Sequence, residues 1–227
     1  MNALFILIPI LFLILLNLPF RRLMRILAFW LGALYLIAQA GGVSLLPASF
    51  WNAKPHLFTY LFNFNLQLDS LSLVLLLTIA VVALASLLVA RQFIPQKEEF
   101  FNFINLLLII LVGLNGVVLT RDIFSLYVFL EIVAVASFIL ISFKNEKDAL
   151  EGAFKYIILS SVATVLILSA ISLIILVSGD TSFSGIAKAL VGSPHSFLIT
   201  FAIALFLAGI FIKAGLVPFH GWLADAY

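Results

Sequence analysis

From Leu71 to Ala90 the chain carries no charged side chain, and comparable apolar runs recur along most of its length. Crossing the hydrocarbon of a bilayer takes about 20 such residues in a helix. Inside that layer no water is present to answer a backbone amide or carbonyl, so a spanning segment must satisfy its own polar groups as a helix or join a closed barrel. Runs this long and this apolar fold as helices. Composition agrees: 65% of the residues are hydrophobic and 10% charged, against about 45–50% and about 25% in a soluble domain. The 227 residues accommodate about seven spans with short connections. The expected fold class is an all-α membrane protein, with residues 1–227 forming a single transmembrane domain.

Reading apolar runs between polar interruptions places spans near 3–19, 23–40, 69–90, 101–120, 122–143, 153–177 and 197–219. The stretch 41–68 contains Pro47, Asn52, Pro55, His56, Asn63 and Asn65 among aromatic residues and reads as an interfacial loop; 179–195 reads as the other sizeable connection. The first apolar run is followed by Arg21, Arg22 and Arg25. A secretory signal carries its positive charge before the apolar stretch, so this run reads as a retained span. Positive residues stay on the cytoplasmic face. One side holds Arg21, Arg22, Arg25, Arg91, Lys97, Lys144, Lys147 and Lys155, and the other Lys54, Arg121 and Lys188. The imbalance puts the N-terminus outside a cytoplasmic (inner) membrane.

The chain has no cysteine, which excludes disulfides, thiolate-held iron–sulfur clusters and Cys-type zinc sites within it. No cofactor and no metal are expected, and redox chemistry falls to partners. A formal charge of +2, with the basic residues scattered between apolar runs, gives no reason to invoke nucleic acid. There is no phosphate-cradling glycine loop, no paired-His metal spacing and no nucleophile elbow.

Ionisable groups inside hydrocarbon cost at least about 2.5–3.5 kcal/mol each on insertion scales and usually line a pathway or meet a partner. Glu131 lies nine residues after Asp122 and thirteen before Lys144, about 13 and 20 Å from the two ends of its helix. It is either a carboxylate on an ion path or a neutral acid hydrogen-bonded between helices. Lys213 lies sixteen residues after Phe197 and five before Pro218. A lysine so close to a helix end can snorkel to the headgroups. Against that, Pro218, Gly209 and Gly215 point to a broken helix, which is tolerated at depth where it lines a wet cavity or is buried in protein. A buried acid and a buried amine whose separation changes form a proton switch: paired, the amine holds its proton; parted, it tends to release it.

Asp69, opening Asp69-Ser70-Leu71-Ser72, reads as the N-cap of the third span. Lys155 and Glu151 begin the sixth span, where an interfacial position is the default, although Lys155 could face inward. His220 follows Pro218 and Phe219 at the inner end of the seventh span. Ser160, Ser161, Ala163, Ser169 and Ala170 are small and suit close helix packing.

These residues resemble the antiporter-like subunits shared by respiratory complex I, membrane-bound energy-converting hydrogenases and multisubunit Na+/H+ antiporters. Asp69-Ser70-Leu71-Ser72 resembles that family's D-x-L-S, and Phe129-Leu130-Glu131 and Ala153-Phe154-Lys155-Tyr156 resemble its fifth- and sixth-helix motifs. The most specific match runs from Lys213-Ala214-Gly215 through Pro218-Phe219-His220-Gly221-Trp222-Leu223, similar to K-A-x-x-x-P-F-H-x-W-L. The resemblance implies that Glu131 and Lys213 are the fifth-helix acid and seventh-helix amine of a proton path, that Lys155 tunes them, and that the seventh helix is discontinuous. His220 is a secondary candidate.

Two departures matter. Ala224 stands where the family usually has proline. Family members also continue with about as many helices again, including a second, inverted repeat. The expectation is therefore a proton-translocating subunit, as in complex I or an energy-converting hydrogenase. Its partners are other membrane subunits (one completing the missing C-terminal half), protons or sodium ions, and lipid. The alternatives are a multisubunit Na+/H+ antiporter subunit and a structural subunit that conducts nothing. A retinal protein, which also pairs seven spans with a lysine in the seventh, fits poorly because the carboxylate lies in the fifth span instead of the third.

Overall fold

A computed structural model describes residues 2–18, 21–45, 65–144, 146–192 and 197–226. Among these the chain forms helices α1 (Leu4–Leu16), α2 (Arg21–Leu45), α3 (Ser70–Phe93), α4 (Lys97–Leu119), α5 (Ile123–Ile141), α6 (Lys147–Ser178), α7 (Phe183–Gly192), α8 (Phe197–Lys213) and α9 (Gly221–Ala226). Five helical stretches are long and apolar enough to cross a membrane: Leu27–Leu45 within α2, and α3, α4, α5 and α6. Two further apolar helices, α1 and α8, are shorter. This is an all-α, multi-pass membrane protein.

Helix ends follow local chemistry. Asp69 caps α3 as expected, its Oδ1 accepting from the Ser72 amide and the Ser72 hydroxyl, both at 2.7 Å. Asp122 caps α5 in the same way, accepting from the Ser125 amide at 2.7 Å. Each satisfies an amide that the first helical turn leaves without a partner. The sixth helix starts at Lys147, six residues before the apolar run that marks it. Polar residues end the membrane-embedded part of a helix without ending the helix. Gly179, at φ 67°, stops α6, and the connection after it contains α7, a ten-residue amphipathic helix that was expected only as a connection. Most of the expected interfacial loop, 46–64, lies outside the described residues; α2 runs on to Leu45 before it.

The chain divides into two compact units, residues 1–120 and 121–227. In the first, α1 to α4 pack through Leu16, Leu36, Leu87, Ile104, Leu108 and Leu111. Lipid tails are as apolar as these side chains, so association in the membrane depends on close packing and interhelical hydrogen bonds rather than on expulsion of water. A polar cluster supplies the latter. Pro9 sits inside α1 and has no amide hydrogen for the carbonyl of Phe5, four residues back. That carbonyl accepts instead from the Tyr35 hydroxyl at 3.1 Å and the Asn115 Nδ2 at 2.9 Å. Asn115 and Gln39 exchange side-chain hydrogen bonds at 3.2 Å, and Gln39 also donates to the Leu76 carbonyl. Donors and acceptors from four helices thus answer one another in a dry interior.

In the second unit α6 is the central helix, with α5, α8 and α9 packed on it. Gly209 of α8 meets α6 where an added Cβ would strike Ile167 and come within 3.0 Å of the Ala163 carbonyl. Of the small residues expected to permit close packing, Ala163 and Ala170 are fully buried, whereas Ser161 and Ser169 are exposed.

Candidate functional site

Glu131 lies near the middle of α5 and Lys213 is the last residue of α8. The Lys213 Nζ donates to the Glu131 Oε1 at 2.7 Å, with the side chains 13% and 27% exposed respectively. Thr164 of α6 donates its hydroxyl to the same oxygen at 2.8 Å. Three helices therefore converge on one carboxylate oxygen, which accepts one hydrogen bond from an ammonium and one from a neutral hydroxyl.

The end of α8 is built to present Lys213 there. The Leu216 amide donates back to the Phe211 carbonyl at 3.0 Å and the Gly215 amide to the Ile212 carbonyl at 3.2 Å, with Gly215 at φ 62°. This is the paired-bond helix stop in which the residue after the cap adopts a left-handed conformation, and glycine adopts it without steric penalty. Trp222 of α9 donates its Nε1 to the Ile212 carbonyl at 3.2 Å, answering an end carbonyl from outside the helix. The last turn of α8 carries the negative end of the helix dipole, which favours an ammonium by about 0.3–1 kcal/mol. The expected break in the seventh span falls between Lys213 and Gly221.

A cavity of about 110 Å³ lies against Lys213, lined by Leu130, Val133 and Ala134 of α5, Tyr156 and Ser160 of α6, and Ile212, Lys213 and Trp222. A water needs only about 10–15 Å³ of such volume together with polar partners. Several waters would fit, with Ser160, Tyr156 and Lys213 to bind them. The arrangement can hold a charged acid–amine pair and bring water to the amine.

Residues 120–227 match the family described as NADH:quinone oxidoreductase/Mrp antiporter, TM. That stretch of the chain belongs to the family. It is 33% identical over 170 residues to NADH-quinone oxidoreductase subunit N of Sphingopyxis alaskensis, covering 74% of this chain and 35% of that protein. To an Na(+)/H(+) antiporter subunit of Alkalihalophilus pseudofirmus it is 27% identical over 186 residues, covering 82% of this chain and 36% of that one. A chain in the structure of the Mrp complex from Dietzia sp. superposes with a TM-score of 0.80 at 25% identity, covering 100% of this chain and 43% of the other. The chain thus spans less than half the length of each of these antiporter-family proteins.

Not all the candidate residues gather at the pair. Lys155 is 42% exposed and is bound elsewhere, to Glu151 one turn back at 2.8 Å and to Asp225 of α9 at 2.9 Å. His220 is exposed in the turn before α9, where its carbonyl accepts from the Leu223 amide; it does not line the cavity. Thr164 and Asp225 were not anticipated. Threonine is too common in apolar helices to attract notice, and an aspartate at position 225 gives no sign of its partner.

Proposed function

We propose that this chain is a proton-translocating membrane subunit of a complex related to respiratory complex I or to energy-converting hydrogenases. The observation that carries this reading is the 2.7 Å contact between Glu131 and Lys213 beside a cavity with room for water. Oil around the pair makes a lone charge expensive, and each charge offsets the penalty of the other. While the two touch, the ammonium is held. When Lys213 swings away, the ammonium loses its counter-charge and gives its proton to water or to the next acceptor. Thr164 keeps the carboxylate aimed in the interval.

The driver of that motion belongs to partners. The chain is similar to subunits of multisubunit membrane complexes, so other membrane subunits are its expected company. The cytoplasmic membrane, with the N-terminus outside, is the proposed setting. Similarity to an Na(+)/H(+) antiporter subunit and to a chain of an Mrp complex favours one second reading, in which the same pair exchanges protons for sodium ions. Measuring acidification and sodium uptake in inverted membrane vesicles separates the two. Lys213→Ala should abolish the proton signal in either case while the complex still assembles, and normal acidification by that variant refutes the assigned role.

A further inference from the structure

Lys155 and Asp225 meet on a different part of α6 from the Glu131 pair, and their contact governs the shortest helix of the unit. α9 spans six residues, too few to hold itself as a helix without tertiary contacts. Two attachments on one of its faces supply them. At one end Trp222, 6% exposed, packs its ring on Tyr156 with centroids 5.0 Å apart and donates to the Ile212 carbonyl. At the other end, three residues on, Asp225 accepts from Lys155 at 2.9 Å. At that end the helices lie so close that a Cβ on Gly152 would collide with the Asp225 carbonyl. Trp222 is also a wall of the cavity at Lys213. Whatever holds α9 down therefore holds a wall of that cavity in place.

We propose that Asp225 is a positioning residue whose bridge to Lys155 clasps α9 against α6 and so keeps the Trp222 ring over the cavity beside Lys213. The inference rests on the proposed role of Lys213 as the translocating amine. Lys155 acts in it as the anchor of the clasp. Its Nζ lies between two carboxylates, those of Glu151 and Asp225, and it does not line the cavity. Releasing the clasp opens the cavity beyond the water it is shaped to admit, and Lys213 then exchanges protons with the same side at the wrong stage of the cycle.

The chain has no cysteine, so Ser160→Cys places a single reporter thiol of this subunit on the cavity wall. Its rate of labelling by the small cationic reagent methanethiosulfonate ethylammonium is followed in native membranes, alone and combined with Asp225→Asn or with the exchange Lys155→Asp plus Asp225→Lys. Asp225→Asn should raise the labelling rate about tenfold and lower acidification of inverted vesicles severalfold. The exchange should bring both back toward the parent value, a recovery that loss of packing alone would not produce. The clasp is refuted if Asp225→Asn leaves the labelling rate unchanged, or raises it while acidification stays normal, or if the exchange recovers neither. Should Asp225→Asn fail to accumulate, accumulation and parental labelling by the exchange support the clasp and their absence refutes it. Because labelling needs no turnover, it distinguishes failure of the clasp from failure of the proton-translocating reading, which the Lys213→Ala vesicles test separately.

Discussion

Replacing Glu131 with glutamine keeps the shape of the side chain and removes its charge, leaving the Lys213 ammonium facing a neutral amide. At the observed 2.7 Å, an effective dielectric constant of about 20 gives an attraction of about 6 kcal/mol. Partial exposure of both side chains reduces it, and a loss of about 3–4 kcal/mol agrees with what removal of one partner does to a sheltered pair. With about 1.4 kcal/mol per factor of ten, holding the ammonium becomes a hundred- to a thousandfold less favourable. If that step loads the proton, acidification of inverted vesicles, normalised to the amount of assembled complex, falls by a similar factor. Thr164→Val provides the comparison. It deletes one hydrogen bond to the same oxygen, worth about 1.5 kcal/mol for a charged acceptor, and should slow acidification about tenfold. Retention of more than about a tenth of the parent rate by Glu131→Gln refutes the electrostatic argument. Equal damage from the two substitutions also refutes it, since shape and not charge would then be deciding.

Gly215→Ala forces a Cβ into a left-handed position and should destabilise the α8 stop by about 1–2 kcal/mol, seen as a lower melting temperature in detergent and weaker acidification. Asn115→Leu removes donors and an acceptor shared by three helices of the first unit. With interhelical hydrogen bonds averaging about 0.6 kcal/mol in membranes, a loss of about 1–2 kcal/mol is expected in a detergent-unfolding titration, with the Glu131 site unaffected. Asp180 lies in the connection after α6, and the Ser182 backbone amide and then the Ser182 hydroxyl hold its carboxyl below the ordinary 3.8. A lowered folded value means that its contribution is fully present above about pH 4 and is lost as the pH falls through the folded value. Proteolysis of the α6–α7 connection should accordingly become faster only in strong acid, and in Asp180→Asn should be fast and lose that pH dependence.

How much of this was legible depended on how unusual each residue is where it stands. Glu131 and Lys213 stand out because a charge in an apolar run has few reasons to be there. Asp69 stands out because aspartate before Ser-Leu-Ser at the edge of an apolar run has the chemistry of a helix cap. Their separation by 82 positions is another matter, because which two intramembrane charges touch is settled by helix packing and leaves no local mark. The chemistry of an acid and an amine in oil suggested the pairing, and the resemblance to a known family supported it, but neither fixes the contact. Thr164 and Asp225 were invisible for the same reason: each is ordinary in its own neighbourhood and acquires a role from a partner on another helix. The early starts of α4 at Lys97 and α6 at Lys147 escaped notice because hydropathy reports what sits in oil, whereas backbone hydrogen bonding carries a helix onward into water. α7 escaped for the opposite reason, being too short and too mixed in polarity to register as a span.

Pro9 carries its effect well outside its own helix. An imino acid with no hydrogen to give leaves one carbonyl of α1 looking for company, and the answers come from side chains on α2 and α4. A defect in one ladder thereby becomes a locating pin for three rods. Any ordinary residue in that place would mend the ladder and, in doing so, make the pin redundant, leaving two donors in oil with a competitor for the oxygen they came to meet.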